Sequence, residues 1–187
     1  MLVIYGLGDY PGFEIHVYKD NTSLMVTIDL LKNKPDSIPA LADIWYDVLG
    51  RIWMPQKPLD QVVQGLKSHL NEEDLPLTLV AFEGERPIGM CSLRVNDGIS
   101  PNYLPVNDTG KAAWLGSLVV DATHQHRGVG AQLIREVCQK AKGLGFEQLY
   151  LFAFDPTIPT YYARLGWATL GMDTFNGHPV TVMGIEV

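Results

Sequence analysis

The apolar residues of the chain recur with two different periods, which predict an alternating series of strands and helices. Alternating or short continuous apolar segments bounded by turn residues are typical of strands. Such segments occupy residues 24–31, 77–82, 87–95, 112–120, 146–154, 167–172 and 179–187. Apolar residues at helical spacing predict helices over residues 35–53, 59–70, 129–143 and 158–165. The resulting order, β-α-α-β-β-β-α-β-α-β-β, predicts a mixed α/β fold.

A glycine-containing loop separates the strand at 112–120 from the strongly periodic helix that follows it. The loop reads Gln125-His126-Arg127-Gly128-Val129-Gly130-Ala131. Two glycines two residues apart let backbone N–H groups point inward without obstruction by Cβ atoms, and the helix directs its positive dipole end to the same place. This arrangement predicts an anion site made of main chain, of the kind that binds a phosphate group.

Composition and charge narrow the classes of function. The chain has 187 residues, of which 47% are hydrophobic and 19% charged, as expected of one globular domain. Its net charge of −7 argues against generic nucleic-acid binding. Cys91 and Cys138 lack metal-ligand spacing, so we expect no metal and a reducing compartment. No apolar segment reaches membrane-spanning length and the first residues lack a basic leader region, which favours a cytoplasmic protein.

A second motif lies about thirty residues after the glycine loop and reads Tyr161-Tyr162-Ala163-Arg164-Leu165-Gly166-Trp167. Together, the two motifs and their spacing resemble those of the GNAT acetyltransferases over roughly residues 24–187. The resemblance implies a mostly antiparallel central sheet, flanked by helices and splayed after its fourth core strand. It also implies direct transfer of an acetyl group from acetyl-CoA to a primary amine in a ternary complex. The alternative is a catalytically idle acyl-CoA sensor of the same fold.

The same resemblance assigns roles to particular residues. The backbone N–H groups of the loop, from Gln125, His126, Arg127, Gly128, Val129, Gly130 and Ala131, would bind the pyrophosphate of acetyl-CoA. The strand edge formed by Leu118, Val119 and Val120 would pair with the pantetheine amides. Tyr162 would protonate the departing thiolate, although it could instead be a packing residue, which is the role we expect for Tyr161.

The general base is not assigned by the sequence. The strand segment Trp114-Leu115-Gly116-Ser117-Leu118 contains no carboxylate, although many family members carry a glutamate there. The alternatives are Asp97, Asp108, Glu83, a chain of water molecules, or an amine substrate that arrives partly deprotonated. His124 and His126 are expected to be exposed loop histidines, and His178 is expected in a turn between the last two strands.

The remaining expectations concern domain organisation and the acceptor. Residues 1–23 are predicted to form a hairpin-like or partly ordered extension that precedes a GNAT domain at 24–187. A dinucleotide fold built on Gly6 and Gly8 is rejected, because Pro11-Gly12 and a strand-like segment occupy the place of its helix. Acceptor preference is expected to reside in Trp45, Trp53, the loop 97–110 with Tyr103, and the turn 174–178. The expected partner is an amine-bearing small molecule or peptide, without nucleic acid or membrane, and a homodimer is left open.

Overall fold

The computed structural model describes residues 25–95, 98–99 and 112–187. The predictions for residues 1–23, and those for Asp97, Tyr103 and Asp108, lie outside the described residues.

A seven-stranded sheet forms the centre of the molecule, in the spatial order β1-β2-β3-β4-β5-β7-β6. The strands are β1 (Val26–Leu30), β2 (Leu77–Glu83), β3 (Arg86–Val95), β4 (Ala113–Val120), β5 (Gln148–Ala153), β6 (Ala168–Phe175) and β7 (His178–Glu186). Neighbouring strands are antiparallel except for β4 and β5, which are parallel. The predicted mixed α/β fold with a mostly antiparallel sheet is therefore confirmed.

Helices cover both faces of the sheet. They are α1 (Ile38–Trp45), α2 (Arg51–Trp53), α3 (Leu59–Lys67), α4 (Val129–Gly143) and α5 (Ile158–Ala163). A π-helical turn at Tyr46–Gly50 joins α1 to α2, so the first predicted helix is one helical segment with a widened turn in its middle. The element order is the predicted one, with boundaries that differ by a few residues.

Successive side chains of β2 and β3 point to opposite faces of the sheet, so each face carries its own part of the hydrophobic core. Val80 and Met90 pack with Leu41 and Trp45 of α1 on one face. Leu79 and Cys91 belong to the core on the other face, which includes Leu133 and Val137 of α4. The period of two along a strand thus places α1 and α3 opposite α4.

The two central strands separate after a short contact, as the resemblance implied. The register of β4 and β5 consists of Ala113 with Leu149 and Trp114 with Tyr150. From Leu115 onward β4 keeps its partner β3 but no longer pairs with β5. The open edge of β4 therefore faces a gap, and the candidate site lies there.

Candidate functional site

A cleft of about 940 Å³ opens where β4 and β5 separate. Its walls come from the α1–α2 segment, the middle of β4, the end of β5, α5 and the β6–β7 turn. This volume is typical of a site for a small molecule or cofactor. Elements from distant parts of the chain thus enclose one concave surface next to the open edge of β4.

The predicted glycine loop leads directly into the N-terminus of α4. His126 and Gly128 have φ angles of 60° and 85°, so the chain turns through left-handed conformations immediately before the helix. A Cβ at Gly128 would have no heavy atom within 4 Å, which leaves open space in front of the loop. The first bond of the helix runs from the N–H of Gln132 to the carbonyl of Gly128. The preceding N–H groups have no acceptor within the helix and can serve an anion.

The side chains of Val129 and Gln125 hold the loop in this position. Val129 is buried in the core, whereas His126, Arg127 and Gly128 are exposed. Gln125 donates a hydrogen bond from Nε2 to the carbonyl oxygen of Val120, 3.0 Å away. The Gln125 side chain therefore ties the loop to the end of β4.

Leu118, Val119 and Val120 form the last part of β4. Val119 and Val120 face Met90 and Gly89 of β3 on one side, and the other side of the strand is its open edge. Val119 is buried against the α1–α3 face, whereas Leu118 is half-buried and lines the cleft. A main chain in this position can pair with amide groups of a ligand, as an edge strand can.

His124 was expected to be an exposed loop histidine, and that expectation is wrong. Only 5% of its surface is exposed. Its Nδ1 lies 3.1 Å from a carboxylate oxygen of Asp121, and its Nε2 lies 3.3 Å from a carboxylate oxygen of Glu83. Hydrogen bonds from the Thr123 hydroxyl and from His124 lower the pKa of Asp121 to about 2. His124 thus fastens the start of the loop to the β2–β3 hairpin. His126 is exposed, as expected.

The two tyrosines of α5 lie at the cleft in different environments. Tyr162 is 6% exposed and packs edge-on against Trp167, with ring centroids 5.7 Å apart. Burial raises the pKa of the Tyr162 phenol well above its ordinary value, so the group holds its proton at neutral pH. Tyr161 was expected to be a packing residue. It packs edge-on against Tyr162 with ring centroids 5.5 Å apart and is 38% exposed, and its Oη lies 3.2 Å from where a Cβ at Gly130 would stand.

Ser117 lies at an irregularity in β4 that the sequence did not single out as a site. Its φ angle is 51°, which is uncommon for a residue other than glycine. The Ser117 Oγ accepts hydrogen bonds from Trp45 Nε1 at 3.2 Å and from Arg94 Nη2 at 2.9 Å. The β3–β4 register shifts here, between Met90 and Ser92 on β3. The unusual pair Gly116-Ser117 within an apolar strand was the only sequence signal for this feature.

Aromatic rings line the far end of the cleft. Trp53 stacks on Phe154 with ring centroids 5.0 Å apart, and Phe152 and Phe175 lie 4.7 Å apart. The His178 ring packs edge-on against Trp53 and Phe154 at 6.0 and 6.1 Å. The sequence had placed His178 in a turn, and the structure puts that turn at the cleft.

The cleft contains few candidates for a proton acceptor among the residues that the structure describes. Glu83 is engaged by His124 and does not line the cleft. Asp155 does line it, but its carboxylate accepts hydrogen bonds from the N–H and hydroxyl of Thr157, which lower its pKa. His178 is the imidazole of the described lining, and a neutral imidazole has one ring nitrogen that can accept a proton.

A comparison with models of protein families shows to which family the chain belongs. The model of the acetyltransferase (GNAT) family matches residues 40–167, which is more than half of the chain and includes both motifs. The chain belongs to the acetyltransferase (GNAT) family. The prediction of an acetyltransferase is thereby confirmed. A search of curated protein sequences found no match.

Solved structures share the fold at low sequence identity. An aminoglycoside 6'-N-acetyltransferase complexed with coenzyme A is 15% identical, covers 87% of this chain and 96% of its own, and has a TM-score of 0.64. A ribosomal-protein-alanine N-acetyltransferase from Brucella melitensis is 17% identical, covers 88% and 100%, and has a TM-score of 0.66. An acetyltransferase from Thermus thermophilus is 20% identical, covers 88% and 99%, and has a TM-score of 0.64.

Two further observations concern the part of the chain that the structure describes. None of its helices is both long enough and apolar enough to cross a membrane. No group of three His, Cys, Asp or Glu side chains within residues 25–95, 98–99 and 112–187 is placed to hold a metal ion. The cytoplasmic location stays a prediction.

Proposed function

We propose that this GNAT protein transfers the acetyl group of acetyl-CoA directly to a primary amine in a ternary complex. The observation that carries the proposal is the continuity of three features. The N–H groups of the loop at Gln125–Ala131 follow the end of β4, the edge of β4 has no strand partner toward β5 beyond Trp114, and residues 115–118 of the same strand line the cleft.

The residues present fit acetyl-CoA by size and chemistry. Gly128 leaves room for a phosphate in front of the helix N-terminus, where partial positive charge accumulates. The edge at Leu118, Val119 and Val120 offers main-chain groups to amides. The cleft then receives the thioester, with Tyr162 and Leu118 among its lining residues.

Two residues that line the cleft are proposed to donate and to accept the protons of the reaction. Tyr162 gives its phenolic proton to the thiolate as the carbon–sulfur bond breaks, and its raised pKa keeps that proton in place until then. His178 is the described lining group best suited to take a proton from the amine. A large fall in kcat in His178→Gln, with the Kd of acetyl-CoA unchanged, would support the role of His178. An unchanged kcat would exclude it.

The acceptor is proposed to carry its amine on an aromatic or other apolar body. The rings of Trp53, Phe152, Phe154 and Phe175 make the far end of the cleft apolar, and such surface binds apolar groups. The polar groups of the amine would meet His178 and the middle of β4.

A panel of amines tests the proposal. Release of free CoA is followed with a thiol reagent for 2-phenylethylamine, ethylamine, a polyamine, an aminoglycoside, an amino acid and a peptide with a free N-terminus. We expect acetyl-CoA to bind in calorimetry and 2-phenylethylamine to react much faster than ethylamine. Binding without turnover of any amine would instead indicate an idle sensor. Absence of binding would refute the proposal as a whole.

A further inference from the structure

The hydroxyl group of Ser117 has no remaining capacity to accept hydrogen bonds. A serine hydroxyl has one O–H donor and two acceptor lone pairs. Trp45 Nε1 and Arg94 Nη2 are donor atoms only, and both point at Ser117 Oγ. The O–H of Ser117 is therefore left to donate to some third group.

The two accepted bonds also make this hydroxyl a stronger donor. One of them comes from a guanidinium, and a hydrogen bond with a charged partner is shorter and stronger than a neutral one. Chains of hydrogen bonds polarise one another, so a hydroxyl that accepts from Arg94 donates more strongly. Arg94 and Trp45 belong to β3 and α1, which fixes the position of the oxygen between two elements of the core.

The backbone at Ser117 is held in an unfavourable conformation that turns this residue toward the cleft. A φ angle of 51° is costly for a side chain with a Cβ, and such residues persist where the surrounding structure over-determines them. Here the irregular β3–β4 pairing and the two side-chain donors do so. Ser117 consequently lines the same cleft as Leu118 and Tyr162, next to the open edge of β4.

We propose that Ser117 is a catalytic residue that donates a hydrogen bond to the acetyl carbonyl oxygen and stabilises the oxyanion. This inference rests on the proposed acetyl transfer. The amine nitrogen attacks the carbonyl carbon, and the π electrons move onto the oxygen, which the Ser117 O–H contacts without giving up its proton. On collapse the carbon–sulfur bond breaks and the thiolate takes a proton from Tyr162. The amine nitrogen loses its proton to His178, which releases it to solvent, and the Tyr162 phenolate takes up a proton from solvent.

The test uses the carbonyl stretch of bound [1-¹³C]acetyl-CoA, measured by isotope-edited infrared difference spectroscopy. A hydrogen bond to the carbonyl oxygen lowers this frequency, and the label identifies the band. We expect a lowered band in the wild-type protein and its return toward the frequency of free acetyl-CoA in Ser117→Ala. We also expect a fall of about 10²-fold in kcat, the low end for loss of one oxyanion donor, with the Kd of acetyl-CoA within threefold of wild type.

Two further variants separate this role from a structural one. Ser117→Gly removes the hydroxyl while relieving the positive φ, so it should give the same spectrum even if Ser117→Ala is destabilised. Trp45→Phe deletes one donor to Ser117 but leaves the hydroxyl, and should retain most of the band shift.

The remaining outcomes are also decisive. A carbonyl band that stays lowered in Ser117→Gly would show that another group binds the oxygen and would refute the inference, while leaving the acetyltransferase proposal intact. No binding of acetyl-CoA by the wild-type protein would refute the proposed function itself. The two failures are therefore distinguishable by calorimetry before any spectrum is recorded.

Discussion

Replacement of Gly128 by aspartate is expected to weaken acetyl-CoA binding much more than it weakens the fold. The new side chain would enter the open space in front of the loop, where no heavy atom lies within 4 Å. It would place a carboxylate where the pyrophosphate is proposed to sit. The perturbation is therefore mainly electrostatic.

The magnitude follows from the exposure of the loop. Gly128 is exposed, so the dielectric constant of water is the appropriate one for this site. At that dielectric constant, two like unit charges about 4 Å apart repel by about 1 kcal/mol. With one charge on each phosphate the loss approaches about 2 kcal/mol, which corresponds to about 30-fold in Kd. Raising the salt concentration should reduce the effect, because exposed charges are screened.

Gly145 supplies a matched control at the other end of α4. Its φ of 82° is close to the 85° of Gly128, and a Cβ there would also have no heavy atom within 4 Å. Both substitutions carry the same backbone penalty. An aspartate is favoured near a helix N-terminus and disfavoured near a C-terminus, so Gly145→Asp should be the more destabilised protein. It should nevertheless bind acetyl-CoA normally.

Isothermal titration with acetyl-CoA, together with thermal unfolding of both variants, checks this prediction. The expected result is a raised Kd for Gly128→Asp alone, with its melting temperature no lower than that of Gly145→Asp. The reasoning would be refuted if Gly128→Asp bound acetyl-CoA within twofold of the wild-type protein, or if both variants lost affinity equally.

Three further predictions concern catalysis and stability. Tyr162→Phe should lower kcat by about 10²-fold in a steady-state assay and leave the Kd of acetyl-CoA unchanged, because its hydroxyl acts only as the thiolate departs; full activity would make Tyr162 a packing residue. Burial lowers the pKa of His69 to about 4 from an ordinary 6.5, so between these pH values the unfolded chain binds more protons. The free energy of unfolding should therefore fall by up to about 3 kcal/mol on acidification through this window in urea titrations, and His69→Gln should remove that part of the slope. A Cβ at Gly89 would lie 2.7 Å from the Val119 carbonyl oxygen, a backbone atom that cannot move aside, so Gly89→Ala should cost about 2 kcal/mol in denaturant unfolding. Gly65→Ala, in open space within α3, should instead stabilise by about 1 kcal/mol; equal effects of the two would contradict this account.

The sequence alone determined the features that depend on neighbouring residues. The periods of its apolar positions predicted the seven strands of the described residues and the helices between them, because burial of one face imposes a local repeat. The loop at Gln125–Ala131 was equally local, since glycine supplies the positive φ and the helix supplies its own N–H groups. The two motifs together sufficed to indicate the family.

Only the tertiary structure decided which distant side chains meet. Ser117 receives its donors from Trp45, 72 residues earlier, and from Arg94, 23 residues earlier. His124 is buried because Glu83, 41 residues away, lies within reach of its ring. His178 faces the cleft because β7 inserts between β5 and β6 and carries its turn to the aromatic wall. Such contacts follow from how the sheet is ordered and how its strands separate, and no local pattern records that order.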